Sequence, residues 1–232
     1  MRKAFIYALL TSVAIFAQVN TAQAQQTLNF SLGYFTPLGR DARVEDDVLT
    51  VNQTFLVFDV KDFNGASIGA EWLVPLSNYV EGGLGIGFSR RTVPSVYQDF
   101  IDSDGTEIEQ DLKLRIVPVT ATVKFLPIGR AGDFQPYIGG GIALLNWKYS
   151  EVGEFVDFSD NSIFRDVYVA SGNTIAPLVF GGLRVPVSGD VFAINAEFRY
   201  QGGKGDTSGT GLLADKIDLG GYSFIGSFQI RF

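Results

Sequence analysis

The sequence predicts an all-β protein, an eight-stranded antiparallel up-and-down transmembrane β-barrel with short periplasmic turns and long extracellular loops. Three observations carry this prediction. Apolar and polar residues alternate with a period of two along most of the chain, as they do in strands with one apolar and one polar face. The connections between these segments are alternately short and long. Beyond residue 24, no window contains the 18 or so apolar residues of a spanning helix.

Residues 1–24 have the pattern of a secretory signal peptide. Arg2 and Lys3 provide the positive start, residues 4–17 the apolar stretch, and Ala22-Gln23-Ala24 the small-residue cleavage site. A membrane anchor is the alternative, but the apolar run is shorter than the ~20 residues that a spanning helix needs. We therefore expect cleavage after Ala24 and a barrel domain that comprises residues 25–232.

Eight strands are predicted from the alternation, with the clearest pattern in the penultimate one. There Phe192, Ile194 and Phe198 alternate with polar residues such as Asn195 and Glu197. The first strand and the last repeat this pattern. The predicted strands lie near residues 28–34, 66–76, 79–92, 111–126, 135–149, 173–186, 191–201 and 221–232.

The connections predict the topology. Short ones fall at 75–79, 127–134 and 186–190, and long ones at about 37–54, 93–110, 150–172 and 202–216. The segment 54–60 is also strand-like and is interpreted as an extension of the second strand into the first loop. In the fourth strand the alternation changes parity at Pro118, which cannot donate a ladder hydrogen bond, so a β-bulge is predicted there.

A soluble eight-stranded barrel is the main structural alternative. Such a barrel hides its apolar face inside. Here the aromatic face extends to the end of the chain, while the opposite face collects charges that a dry core would not hold unpaired. The membrane barrel is therefore the favoured interpretation.

Two segments resemble a known family. Residues 221–232, Gly-Tyr-Ser-Phe-Ile-Gly-Ser-Phe-Gln-Ile-Arg-Phe, resemble the terminal strand of Gram-negative outer-membrane proteins. Residues 136–141 together with Trp147 resemble the small outer-membrane β-barrel domains that include the opacity-type surface proteins. The resemblance implies a bacterial outer-membrane location and says little about activity. It also implies that the barrel-assembly machinery reads the alternating terminal residues Tyr222, Phe224, Phe228, Ile230 and Phe232.

The polar parity of the strands predicts a charged lumen. The residues assigned to it are Glu71, Glu81, Lys113, Arg115, Lys124, Arg184, Glu197, Arg199 and Arg231. An eight-stranded barrel is only wide enough to be filled by its own side chains, and buried charges need partners. We therefore expect a paired network that plugs the lumen. An ion path lined by the excess of positive charge remains the alternative.

The composition excludes several functions. The chain has no His and no Cys, so triads, thiolate nucleophiles and imidazole or thiolate metal sites cannot be built. The formal net charge of -7 argues against a nucleic-acid partner. No carboxylate pair is singled out by spacing, so we expect no enzyme activity and no cofactor.

The long predicted loops are acidic. The loop at 93–110 contains five acids, and an EF-hand frame that places Gly105 sixth begins at Phe100, where a carboxylate is required, so that motif fails. A loosely bound divalent cation is therefore only a weak expectation for Asp99, Asp102, Asp104, Glu107 and Glu109. A solvated surface facing lipopolysaccharide and its divalent cations is favoured. The loop at 150–172 also contains aromatic residues and is expected to fold over the barrel mouth.

These observations favour a structural or surface role in the outer membrane, with lipid and lipopolysaccharide as the main partners. Two alternatives stay open. One is a narrow pore or a carrier for small solutes, apolar ones included, for which Pro118 and the Gly-rich strands would weaken the wall. The other is an adhesin that binds a host component or another ligand through its acidic loops.

Overall fold

The computed structural model describes residues 26–102, 104–188 and 191–232. The predicted signal peptide and its cleavage site lie outside this range. In chain order the strands are β1 (Thr27–Pro37), β2 (Leu56–Val57), β3 (Gly65–Pro75), β4 (Val80–Ile101), β5 (Glu107–Phe125), β6 (Gln135–Asp157), β7 (Ser162–Ser188), β8 (Phe192–Gln201), β9 (Lys204–Asp206), β10 (Lys216–Asp218) and β11 (Gly221–Arg231). One short α-helix, α1, spans Val48–Asn52.

Eight of these strands form a closed wall in the order β4-β3-β1-β11-β8-β7-β6-β5, and a β4–β5 pairing completes the ring. Every neighbouring pair is antiparallel; in the β1–β11 pair, for example, Phe30 lies opposite Phe228. Closure lets the backbone groups of each strand bond within the sheet, which a bilayer demands. The predicted eight-stranded up-and-down barrel is confirmed.

The outer face of this wall is apolar. Side chains such as Leu32, Ile138, Ile175 and Phe224 are 63–73% exposed. A belt of exposed aliphatic and aromatic residues around a closed barrel is the surface that faces lipid. Within the described residues, no helix is long and apolar enough to cross a membrane.

Four strands are much longer than a bilayer requires. β4, β5, β6 and β7 contain 22, 19, 23 and 27 residues, whereas about 9–11 residues cross the hydrocarbon. The predicted loops at 93–110 and 150–172 are therefore largely strand, with short turns around Gly105 and at 158–161. Alternation alone did not reveal this, because the water-exposed ends carry polar residues on the outer face.

The β-bulge predicted at Pro118 is wrong. The β5–β6 register runs unbroken through Pro118, which lies opposite Leu145, and even-numbered residues of β5 face inward from Ile108 to Lys124. The surroundings change instead of the register. Within the bilayer, β5 has a polar barrel interior on one face and lipid on the other. In its extracellular part, the inner face packs against an apolar plug and the outer face meets water.

The first long connection folds into the extracellular half of the barrel. Its α1 is capped by Asp47, which accepts from Thr50 N, and Arg43 pairs with Asp47 at 2.6 Å with both side chains fully buried. The prediction that the segment 54–60 extends β3 is wrong. Its strand β2 instead pairs with β4, where Leu56 lies opposite Tyr97.

This connection and the last one build an apolar plug. Val48 and Leu49 of α1 pack in one buried cluster with Leu145 and Trp147 of β6 and with Ile217 of β10. All five are at most 1% exposed. The extracellular half of the barrel is therefore filled by a conventional hydrophobic core, contributed by loops that the sequence alone marked only as long.

The barrel interior and its extracellular mouth

The periplasmic half of the interior contains a first group of paired charges. Lys124 Nζ lies 2.7 Å from Glu71 Oε2 and 3.8 Å from Glu197 Oε2. The other oxygen of Glu197 accepts from Arg199 at 2.7 Å. The Tyr137 hydroxyl donates to Glu197 at 2.9 Å, and its ring centroid lies 5.2 Å from Lys124 Nζ. Both carboxylates are thus satisfied by cations and neutral donors.

A second group surrounds Glu81. Arg184 donates to its two carboxylate oxygens at 2.9 and 2.6 Å, which is a bidentate pair. Both side chains are 1% exposed. Arg130, from the turn between β5 and β6, lies 3.1 Å from the same carboxylate. Gln135 Oε1 accepts from Arg184 at 3.4 Å and from Arg231 at 3.0 Å.

The backbone makes room for these groups. A Cβ atom at Gly83 would lie 2.5 Å from Thr122 Oγ1 and 2.8 Å from Glu71 Oε1. Thr122 itself donates to Glu71 Oε1 at 2.9 Å. Glycine on this strand therefore leaves the space in which the Glu71 carboxylate meets Lys124.

The structure brings seven of the nine predicted lumen residues inside the barrel: Glu71, Glu81, Lys124, Arg184, Glu197, Arg199 and Arg231. The other two are corrections. Lys113 and Arg115 lie on the outer face of β5, since the inward positions there belong to Leu112, Leu114 and Ile116. The two residues do lie on the polar face of the strand, but in this extracellular part of β5 the polar face points outward.

The two corrected residues belong to a basic row on the outer surface. Arg115 lies directly opposite Arg90 of β4 on one side and opposite Lys148 of β6 on the other. Opposed side chains of adjacent strands have Cβ atoms about 4.5–5.5 Å apart, and like charges in such pairs are destabilising. Among the described residues, no carboxylate pairs with any of these three cations.

Sequence reasoning missed several contributors to the interior. Arg130 lies in a turn that carried no lumen signal. Tyr137 is at an inward-facing position of its strand, but aromatic residues were expected on the lipid-facing side of the wall. Gln135 and Asn29 share the polar parity as well, and attention to uncharged residues on that face could have identified them.

A small cavity separates the charged groups from the apolar plug. Its volume is about 80 Å³, and it is lined mainly by small side chains, among them Ser31, Ser67, Gly87 and Thr120. Pro118 also borders it. The β4–β5 ladder is interrupted here, because pairs form at Ile86–Val119 and at Ser89–Ile116 but not between them.

A larger cavity of about 290 Å³ opens at the extracellular mouth. Glu151 of β6 lies in its lining and is 4% exposed. This residue lies well beyond the ~10 residues of its strand that cross the bilayer. Burial raises the pKa of the Glu151 carboxyl, and hydrogen bonds from Asn52 and Tyr149 offset only part of that effect.

The remaining predicted residues are also placed. In β11, Tyr222, Phe224 and Phe228 point outward and are 40%, 63% and 44% exposed, Ile230 is partly buried, and Phe232 is 63% exposed just after the strand. The acids Asp99, Asp102, Asp104, Glu107 and Glu109 lie around the β4–β5 turn. In the described part of the chain, no three acids come together as a metal-binding group.

Comparison with known proteins shows the fold. No family model and no curated protein matches this sequence. Among solved structures, the chain is similar to the outer membrane protein OprG from Pseudomonas aeruginosa, with a TM-score of 0.52 and 12% identity over 90% of this chain and 96% of that one. Ail, the attachment invasion locus protein of Yersinia pestis, follows with 0.47 and 14% over 91% and 100%. The fold is that of small outer-membrane β-barrels, and the predicted outer-membrane localisation agrees with it.

Proposed function

We propose that this chain is an integral outer-membrane barrel with a closed lumen and a structural, surface-presenting role. The observation that carries the proposal is the double closure of the interior. Paired charges around Lys124 and Arg184 fill the periplasmic half, and the plug of α1 and β10 fills the extracellular half. A continuous water path would have to cross both layers, at the cost of separating buried ion pairs.

Planar-bilayer recordings test this function directly. The closed barrel should give a flat baseline, and the same protein should still show heat-modifiable gel migration, which proves that it is folded. Reproducible conductance steps from the folded protein would overturn the closed-lumen function and favour the ion path.

We further propose that the basic row of Arg90, Arg115 and Lys148 binds the phosphorylated headgroup of lipopolysaccharide. Arg90 and Arg115 lie about 10 residues from the periplasmic ends of β4 and β5, which is where a strand leaves the hydrocarbon. The exposed apolar residues Ile86 and Val119 lie just below them. An anion at this height would offset the repulsion within the row.

Native mass spectrometry of the detergent-solubilised barrel tests this partner. The wild type should retain bisphosphorylated lipid A, and the triple variant R90Q/R115Q/K148Q should lose most of it. The control is the triple variant K61Q/K204Q/K216Q, which removes three exposed lysines of the first and last connections and should retain the lipid. Equal retention of dephosphorylated lipid A, or competition by free phosphate at a similar concentration, would exclude a specific headgroup site.

A lateral carrier of small apolar solutes is the second candidate. The specific observation in its favour is the interrupted β4–β5 ladder beside Pro118, where the interior cavity reaches the wall. Because the chain has no cysteine, a disulfide between Phe88→Cys and Val117→Cys can lock this gap. Solute entry into proteoliposomes that the oxidised lock abolishes would favour the carrier; the closed barrel predicts no entry in either redox state.

A further inference from the structure

The cavity at the extracellular mouth has no role in a closed structural barrel, yet it has the features of a ligand site. Its volume of about 290 Å³ is close to the lower end of the range for small-molecule pockets, about 300 Å³. Six aromatic rings line it, from the first connection and from β4, β6, the β6–β7 turn and β7: Phe55, Tyr97, Phe155, Phe158, Phe164 and Tyr168.

One buried carboxylate lies among these rings. Glu151 accepts hydrogen bonds from Asn52 Nδ2 at 2.5 Å and from the Tyr149 hydroxyl at 2.9 Å, and both reach the same oxygen, Oε1. Within the described residues, no Lys or Arg forms an ion pair with Glu151. The three buried glutamates of the charged interior, Glu71, Glu81 and Glu197, each pair with a Lys or an Arg. The buried Asp218 instead accepts from the backbone N–H groups of Val44 and Gly220, one on each oxygen, because a buried charge generally requires partners. Glu151 therefore has no counter-charge among the described residues, and a bound cation would provide one.

The rings are arranged so that a cation could contact them. Phe155 packs edge-on against Tyr168 with centroids 4.8 Å apart and stacks with Phe164 at 5.9 Å. Phe158 and Phe164 are 51% and 39% exposed, so their surfaces are accessible from the medium. Aromatic faces attract cations through their quadrupole, and the attraction strengthens where water is excluded.

The chemistry separates three kinds of ligand. A neutral apolar molecule would use the rings but leave the carboxylate without a partner. An anion would meet Glu151 and also Asp157, which borders the same cavity. A compact cation with an apolar surface would satisfy both the rings and the carboxylate.

We propose that the mouth cavity binds a small organic cation with an apolar surface, such as a quaternary ammonium group. The ammonium lies beside Glu151, and its methyl groups contact Phe155, Phe164 and Tyr168. The site goes beyond the structural role proposed above. It requires only that the extracellular half be folded, and it does not depend on whether the lumen conducts.

A matched pair of probes tests the charge requirement. Choline and its neutral isostere 3,3-dimethylbutan-1-ol have nearly the same shape and differ in the ammonium centre. Each is titrated by NMR into the folded barrel in maltoside micelles, which carry no competing cation. Choline should bind about tenfold more tightly than the isostere. Equal affinities, or tighter binding of the neutral alcohol, would overturn the proposal.

Two variants locate the preference. Glu151→Gln keeps an oxygen for Asn52 and Tyr149 and should make the two affinities nearly equal. The control Glu154→Gln removes the same charge from the same strand outside the cavity and should keep the tenfold difference. A preference that survives Glu151→Gln, or that Glu154→Gln also removes, would show general surface electrostatics and overturn the assignment.

A third variant covers the case in which Glu151→Gln does not fold, as judged by heat-modifiable migration. Phe164→Leu leaves the carboxylate in place and removes one exposed ring. Choline should then bind several-fold more weakly, with a smaller change for the alcohol. No change for choline would overturn the contribution of the aromatic lining.

Discussion

Replacement of Glu81 by Gln should destabilise the barrel strongly while preserving its shape. Glu81 is the only carboxylate that pairs with Arg184 or Arg130 among the described residues. Gln keeps the size of the side chain but leaves a buried guanidinium, 1% exposed, without its anion. Loss of one partner from a buried pair costs about 3–5 kcal/mol, so the free energy of unfolding should fall by that amount.

The assay is urea unfolding of the reconstituted barrel, followed by the fluorescence of Trp72 and Trp147. The matched control is Glu154→Gln, whose partner Arg165 is 83% exposed; an exposed pair of this kind contributes about 0–1 kcal/mol. The double variant Glu81→Gln/Arg184→Met should recover most of the loss, because it removes the unpaired charge as well.

A single result refutes this reasoning. If Glu81→Gln unfolds within about 1 kcal/mol of the wild type, as its exposed control does, then the Glu81–Arg184 pair is hydrated and the lumen is not closed at this height. The double variant then has nothing to recover, and the ion path becomes the better account of the interior.

Three further outcomes are expected. Glu197→Ala should lower the free energy of unfolding by about 2–4 kcal/mol without affecting export, since Arg199 and Tyr137 lose their acceptor; an unchanged urea midpoint would show that Glu197 is solvated. Burial raises the pKa of Glu151 above its usual 4.5. The contribution of the protonated carboxyl to the free energy of unfolding is therefore fully present below pH 4.5 and is lost as the pH rises through the folded-state pKa. The urea midpoint of the wild type should therefore fall relative to Glu151→Gln over that interval, and parallel profiles would contradict the shift. Gly83→Ala should cost about 1–3 kcal/mol by overpacking against Thr122 and Glu71. An equal loss in the control Gly82→Ala, whose added Cβ meets its nearest neighbour at 3.6 Å, would contradict this local cause.

Much of the fold could be predicted because the strands of a membrane barrel alternate apolar, lipid-facing residues with polar, inward-facing ones. The alternation in 191–201 and at the chain end located β8 and β11, and their aromatic residues are exposed on the outer face as expected. The lengths of β4 to β7 could not be predicted in the same way. Their extracellular ends are polar outside and apolar inside, so they no longer alternate as a lipid-facing strand does.

The interior was predictable only where charge marked it. Glu71, Glu81 and Lys124 stood out because a charge on a strand within the bilayer has to face inward. Arg130 enters the same network from a turn, and the Glu151 cavity is assembled from segments far apart in the chain. No local pattern encodes either arrangement.

The sequence by itself determined that each wall strand has two faces of opposite polarity and that the strands close into a barrel. Only the tertiary structure decided which face points inward at each height. Lys113 and Arg115 have the polar character expected of a lumen, yet they lie outside, while Leu112 and Leu114 on the same strand pack against the plug. The physical reason is that polarity follows the medium on each side of the wall. Lipid gives way to water along β5, and only the folded first loop shows that the interior changes there as well.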